Sequence, residues 1–550
     1  MNSGKLLPGR IPGRLGLLAS LLAGILLPAA ALSQASGDGT GELLSQKPRL
    51  LVFLVVDQLR GDLLERYAPV FTGGFRRLQE GGLSFSQALH GHASTETSPG
   101  HAALSTGVHP SRAGIPSNAW RQGMGRDAPP VYNIMDPEHA LVGVSGLPGA
   151  SPSVLAREGL ADWVVKADPR AMVVSVSAKD RAAVLMAGKI RGSVFWFNSS
   201  VGRFVTSTFY RKRNPSWLTN FNEQVLEGYR AERVWESTVP PEAARLSAPD
   251  TAEFEGDGVH TYFPHRYEAE RIDPGMDDFF LWFETTPMLD EATLALGRLA
   301  LKETGAGRQK GRTDFLAVSL SQTDRVGHAF GPLSREQMDN LLRLDRELGE
   351  FLRFLDQWVG PDNYVLGLTG DHGVMTAPER LQVPGRRLGT AERSRLERAL
   401  GEGVRAAHRN GSSEEVAPFL VEALEELDFV GPTYARDELS SAAATDSMAM
   451  LFRHSFVPQR PGGLLSPYGV EMWWAENILA WTSPTGSTHG GPFYYDRWVP
   501  LILLGPGIRA GEDDRPVMPL SLAPTLAWLA GIPYPEDLDG KPLLKKGGGG

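Results

Sequence analysis

Residues Leu50 to Val56 form an unbroken apolar run that stops at Asp57. A strand with one wet face would alternate apolar and polar residues. A continuous run needs cover on both faces, as in a parallel sheet clad by helices. The pattern recurs along the chain. Met172 to Val176 leads toward Lys179, Phe315 to Leu320 toward Asp324, and Tyr364 to Leu368 toward Asp371. Leu501 to Leu504 ends on Gly505-Pro506-Gly507. Helical patterns fall between these runs. A capping box at Ser334 to Gln337 opens one of them, and Leu341, Leu344, Leu348, Phe351, Leu352 and Leu355 give it an apolar stripe. Leu289 to Leu301 and Leu520 to Leu529 read as two more. The expected fold is α/β: a doubly wound, largely parallel sheet flanked by helices, with inserted cap segments. Open sheets of this kind gather ligand-binding side chains beyond the C-terminal ends of their strands.

Two stretches break the rhythm. Residues from about 195 to 285 are rich in aromatics, and residues from about 376 to 480 are polar and end in Trp473-Trp474. Both are expected to be insertions in one catalytic domain spanning 48–545. The chain has 550 residues, which suits a large α/β enzyme carrying insertions. Residues 546–550, mostly glycine, read as a disordered tail.

The N-terminus differs in kind. Lys5, Arg10 and Arg14 precede an apolar stretch from Leu15 to Leu32, and Ala29, Ala30, Ala31, Ser33 and Ala35 supply small residues at its end. This is the pattern of a secretory signal peptide over residues 1–35. The other reading is a retained membrane anchor, which Gly24 and Pro28 argue against by interrupting the run. Residues 36–47 read as a flexible lead-in. The expectation is a secreted protein, in a bacterial periplasm, with no stable membrane anchor after cleavage. There is no cysteine. That removes disulfides and thiolate metal sites, so any metal must sit on histidine and carboxylate. The net charge of -9 argues against a nucleic-acid partner, which calls for a basic footprint.

Four constellations carry chemistry. Asp324 and His328 stand four residues apart after a strand, with Gly327 expected to let the chain turn tightly. Asp371-His372-Gly373 follows another strand, Thr488-His489-Gly490-Gly491 is Gly-rich, and Asp57 closes the first apolar run. Three Asp and three His without a thiol suit a two-metal hydrolytic site for zinc or a similar ion. Each piece alone is weak, since an Asp at a strand end is often a turn former. His90, His109, His139, His260, His265, His408 and His454 are therefore read as structural. The nucleophile candidate is Thr97, in Ser94-Thr95-Glu96-Thr97-Ser98-Pro99-Gly100-His101. Pro99 suits a helix start, which would put Thr97 at the N-cap, aimed at the cleft. The bland alternative is plain capping by Thr97 or Ser98.

In this order, Asp57, Thr-x-Pro-x-His, Asp-x-x-x-His, Asp-His-Gly and a late His-Gly resemble the alkaline phosphatase superfamily. Within it they are most similar to the type I phosphodiesterase/nucleotide pyrophosphatase branch, and there to its phosphate-irrepressible periplasmic alkaline phosphatases. The resemblance runs from Asp57 to His489. It implies two zinc ions, one on Asp324, His328 and His489, the other on Asp57, Asp371 and His372 with Thr97 bridging to it. It implies a phosphothreonine on Thr97 and a phosphoryl oxygen bound by Asn118 and the backbone N–H of Ser98. It also implies that Lys179 and Arg181 are the cation pair of the monoesterases. Two cations suit a monoester, whose phosphoryl group has one more negative charge than a diester's. Sulfatases carry Cys/Ser-x-Pro-x-Arg, which is missing here. The expected function is an alkaline phosphatase that acts as a monomer on small-molecule phosphate monoesters. The alternatives are a phosphodiesterase or nucleotide pyrophosphatase with the same metals, and an inactive homologue that binds phosphorylated ligands.

Overall fold

The computed structural model describes residues 40–41, 46–121, 129–273, 275–412, 415–441 and 445–546. The expected leader (1–35), most of the lead-in and the terminal Gly run lie outside them. Among the described residues no helix is long and apolar enough to cross a membrane.

Nine strands make one sheet: β1 (Leu50–Val56), β2 (Leu83–Leu89), β3 (Val173–Ser177), β4 (Ser193–Asn198), β5 (Arg203–Val205), β6 (Asp314–Leu320), β7 (Tyr364–Thr369), β8 (Trp498–Leu504) and β9 (Gly511–Asp513). Their order is β9-β2-β8-β7-β1-β6-β3-β4-β5. The run from β7 to β4 is parallel throughout. β8 is antiparallel to both β7 and β2, and β5 is antiparallel to β4. The sheet is thus mixed but mostly parallel. The register pairs Val56 with Leu320, Val55 with Thr369, and Ser319 with Ser177. The chain therefore leaves β1, β6, β7 and β3 along one edge, and Asp57, Asp324, Asp371 and Lys179 all emerge there.

β1 shows why its sequence had to be apolar on both sides. Leu50, Val52, Leu54 and Val56 enter one core, and Leu51, Phe53 and Val55 enter the other. Each buried side chain of this size is worth about 2 kcal/mol of transfer free energy. The first core is closed by α3 (Met288–Thr304) and α5 (Arg335–Trp358), the second by α1 (Thr97–Thr106), α2 (Asp180–Met186) and α6 (Leu522–Leu529). Between β6 and α5 lies α4 (Gln322–Phe330). Ser334 caps α5 by accepting from the Gln337 backbone N–H at 3.0 Å. The Gln337 side chain does not return to the cap; it donates to the Thr323 carbonyl at 2.7 Å, so the box is half formed.

The stretch expected as an insertion from about 195 begins inside the sheet, since β4 and β5 are its outer strands. Periodicity could not separate these strands from the insertion itself, because aromatics continue through both. The aromatics beyond β5, such as Trp235, Tyr267 and Phe279, join the first core directly. The segment from 376 to 480 behaves differently. It has a core of its own, built from Leu396, Leu420, Leu424, Phe429, Val470 and Trp474.

Candidate active site

After β2 the chain crosses the edge of the sheet and enters α1. Thr97 is the first residue of that helix and Glu96 holds the cap position, one residue earlier than the sequence pattern suggests. Pro99 fits because the first turn has no use for its missing N–H. Gly100 matters more: a Cβ there would run into the Asp371 backbone, so only glycine lets α1 lie against the exit of β7. The helix N-terminus, with its unpaired N–H groups and positive dipole end, faces the same edge as the strand exits.

The histidines and carboxylates converge. Asp324 and His328 lie one turn apart on α4, with Oδ1 and Nε2 3.2 Å apart. His489 Nε2 is 3.3 Å from the same Oδ1 and 3.1 Å from His328 Nε2. On the other side, His372 Nε2 is 3.5 Å from both Asp57 Oδ1 and Asp371 Oδ2. The His372 and His489 rings stack at 3.7 Å and join the two groups. Gly327 does not make a tight turn. It lies inside α4, and a side chain there would collide with Gln58. The helix ends at Phe330, and Gly331 takes the positive φ of 85°.

All three imidazoles point the same nitrogen inward. His328 Nδ1 donates to the Ser487 carbonyl at 2.9 Å, His489 Nδ1 to that of Thr95 at 2.7 Å, and His372 Nδ1 to that of Gly373 at 3.0 Å. A carbonyl can only accept, so each Nδ1 carries a proton, which leaves Nε2 as the ring atom turned inward and able to ligate a metal. Among the described residues, Asp57 Oδ1 and His372 Nε2 are fully buried without a hydrogen-bond partner. Such orphans are costly unless something else occupies them.

The charge balance points the same way. Burial pushes the Asp57 carboxyl well up, and the neighbouring Asp371 adds to the effect. Burial also opposes ionisation of Asp324, but Lys179 beside it outweighs burial and holds that carboxyl well below its usual range. Burial holds His372 far below the ordinary imidazole value, so its ring is neutral. Three buried acidic side chains thus face one buried lysine. Orphaned atoms, a neutral His372 ring and a surplus of acidic side chains over the one lysine fit divalent cations held by oxygen and nitrogen.

Lys179 and Arg181 close the other side. Lys179 Nζ is 2.7 Å from Asp57 Oδ2, 2.5 Å from Asp324 Oδ2 and 3.3 Å from Thr97 Oγ1. Each Asp therefore gives Oδ2 to the lysine and turns Oδ1 toward the histidines. Arg181 Nη2 reaches Thr97 Oγ1 at 3.4 Å. Its Nη1 donates to Tyr132 Oη at 3.2 Å, and Tyr132 donates to Asp180 at 2.6 Å. Asn118 Oδ1 accepts from the Ser98 N–H at 2.9 Å. Ser98 thus orients the Asn118 amide, and the Asn118 Nδ2 is left to donate.

Every residue expected in the site is brought to this edge of the sheet. Sequence reasoning missed several that support it. Gln58, at a positive φ of 64°, donates its backbone N–H to Asp371 Oδ1 at 3.0 Å and its amide to Asp324 Oδ1 at 2.9 Å. His101 lies between Asp371 Oδ2 at 3.1 Å and Ser319 Oγ at 2.8 Å. Glu96 and Tyr132 are the others. Gln58 follows Asp57, and Glu96 and His101 lie in the Ser94–His101 motif, but nothing in the sequence singles out Tyr132. Other histidines have local partners: His90 meets the Gly370 carbonyl at 3.0 Å, and His109 stacks on His454 at 3.7 Å.

A family model described as type I phosphodiesterase / nucleotide pyrophosphatase matches residues 51–433. The chain belongs to that family, within the alkaline phosphatase superfamily, and is an enzyme. It is 31% identical to alkaline phosphatase PhoV of Synechococcus elongatus over 90% of this chain and 92% of that one. It is also 31% identical to alkaline phosphatase PafA of Elizabethkingia meningoseptica, covering 91% and 94%. The crystal structure of wild-type PafA superposes with a TM-score of 0.80 at 29% identity, covering 91% of this chain and 99% of that one.

Proposed function

We propose that this enzyme hydrolyses phosphate monoesters through a phosphothreonine on Thr97, with two zinc ions held by Asp324, His328 and His489 and by Asp57, Asp371 and His372. One observation carries the reading. Lys179 and Arg181 both reach the Thr97 hydroxyl, at 3.3 and 3.4 Å. A diester brings one negative charge to that point and a monoester two, so a pair of cations beside the nucleophile favours the monoester.

Bound dications would supply Lewis acidity at the nucleophile, at the leaving oxygen and at water. The chain does the rest. Thr97 Oγ1 loses its proton to solvent and attacks phosphorus in line, and the ester oxygen departs with the bonding pair and takes a proton from water. Lys179 and Arg181 hold the phosphoryl oxygens, and the Asn118 amide donates to a third, so charge built up in the transition state meets donors already in place. Thr97 reaches this geometry at the head of α1, whose N-terminal dipole favours the anion. Water then attacks the phosphothreonine and releases phosphate.

The same reading treats residues 1–35 as a cleaved leader and the enzyme as a periplasmic monomer without a membrane anchor or nucleic-acid partner. It treats 48–545 as the catalytic domain and 376–480 as its cap. The experiment compares kcat/KM for an aryl phosphate and for its methyl diester on zinc-loaded enzyme. A large monoester preference that shrinks in Lys179→Ala is expected. A diester preference, unchanged by that substitution, would move the activity to phosphodiester hydrolysis.

A further inference from the structure

Glu96 is a carboxylate that this mechanism leaves without a task, one residue before the nucleophile. It holds the cap position of α1, yet its side chain makes no capping bond. It turns the other way. Its Oε2 accepts the Asn118 backbone N–H at 2.8 Å, and the Ser117 hydroxyl sits 3.1 and 3.2 Å from its two oxygens. On the far side of Thr97, the Ser98 N–H holds Asn118 Oδ1 at 2.9 Å. The residues on either side of the nucleophile therefore grip the same asparagine, one by its backbone and one by its amide.

The arm that carries Asn118 needs such a grip. It leaves α1 and continues into a short hairpin of Ala119–Arg121 and Pro130–Tyr132 rather than into the sheet. Within it, Asn133 contributes bonds of 3.2 Å to the Ser117 carbonyl and 3.3 Å to the Asn118 carbonyl. Those bonds tie the arm to itself. Glu96 ties it to the nucleophile. A carboxylate suits the task because one rigid group can accept several donors at once. A negative charge beside a phosphoryl site would otherwise repel the substrate, and these donors offset it.

We propose that Glu96 is a positioning residue for Asn118: its carboxylate holds the backbone of residues 117 and 118 so that the Asn118 amide meets the phosphoryl oxygen bound beside Thr97. The inference rests on the role given to Asn118 above. Loss of one preorganised donor lowers kcat by roughly 100-fold or more, and a displaced donor loses part of the same factor.

The test is a double-mutant cycle on zinc-loaded enzyme with an aryl phosphate, using Glu96→Ala, Asn118→Ala, both together, and Glu96→Gln. Asn118→Ala should lower kcat/KM about 100-fold and Glu96→Ala about 10-fold or more. The double variant should be no worse than Asn118→Ala, because Glu96 acts only through that amide. Glu96→Gln keeps an acceptor of the same length and should restore most of the rate. Should Glu96→Ala fail to fold, Glu96→Asp carries the same cycle, since it keeps the charge but withdraws the oxygens. Losses that multiply, or a Glu96→Ala enzyme at the wild-type rate beside an impaired Asn118→Ala, would overturn the positioning role and leave the site reading intact. An Asn118→Ala enzyme at the wild-type rate would overturn the asparagine's role itself, and the proposal with it.

Discussion

The two halves of the site are held by different parts of the molecule. The half proposed to hold the metals hangs from the sheet: Asp57, Asp324 and Asp371 follow three neighbouring parallel strands, and their histidine partners are pinned through Nδ1 to backbone carbonyls. The phosphoryl half is assembled from the head of α1, the head of α2 and a hairpin arm, linked by side-chain bonds among Glu96, Asn118, Tyr132 and Arg181. A strand end is positioned by backbone hydrogen bonds that any sequence makes. An arm is positioned by particular side chains. The metal half should therefore resist substitution of its neighbours, while the phosphoryl half should respond to single atoms.

Thr97, where the halves meet, should give the largest effect. Thr97→Ala should lose activity by roughly 10,000-fold or more, the scale on which removal of a nucleophile acts. Zinc content by elemental analysis should not change. An active variant would remove the nucleophile and dissolve the boundary between the halves.

Lys179 belongs to both halves. Lys179→Ala should lower monoester kcat/KM by about 100- to 1,000-fold. It should also enlarge the rise in melting temperature on adding zinc, because Lys179 holds the Asp57 and Asp324 carboxylates that the proposed metals would share. Arg181→Ala, which touches neither carboxylate, should leave that rise unchanged. Equal zinc effects in both variants would mean that the lysine serves the phosphoryl half alone.

A smaller effect isolates the arm. Tyr132→Phe removes the Arg181 contact and should cost about tenfold on monoesters, the worth of one hydrogen bond to a charged group, with unchanged metal content. A loss of zinc would show that the halves are not separable.

The smallest effect on catalysis is expected at His265, outside both halves. Burial disfavours its charge, but bonds to Glu270 and Glu336 prevail and raise it to about 9. A raised imidazole stabilises the fold fully below its ordinary value of 6.5 and loses that contribution as pH climbs through 9. His265→Gln should flatten this part of the stability curve in pH-dependent denaturation, while kcat at neutral pH stays within about twofold. An unchanged curve would show that the histidine is not charged in the folded state.

Much of this was legible in the sequence. The apolar run before Asp57 told of a strand covered on both faces because burial leaves no room for polar side chains, and β1 spans the whole of it. The gathering of Asp57, Asp324 and Asp371 was legible because strand ends in such sheets face a shared edge. The extra strands at Ser193–Asn198 and Arg203–Val205, at one end of the sheet, were not, since they share an aromatic-rich composition with the insertion that follows. Gly327 was visible as a glycine but its reason was not. It is the Gln58 side chain, distant in the chain, that a Cβ there would push aside.

By itself the sequence determined the kind of sheet, the residues that close each strand, and a set of candidate metal ligands without thiols, because these follow from local apolar patterning and residue chemistry. Only the tertiary structure decided which atom of each residue faces which neighbour. The division of Asp57 and Asp324 between lysine and histidine, the strained Gln58 tie and the grip of Glu96 on Asn118 all join residues remote in the chain or turned by rotamer choice. No local pattern encodes such contacts, because they exist only when the sheet has brought its strand ends to one edge.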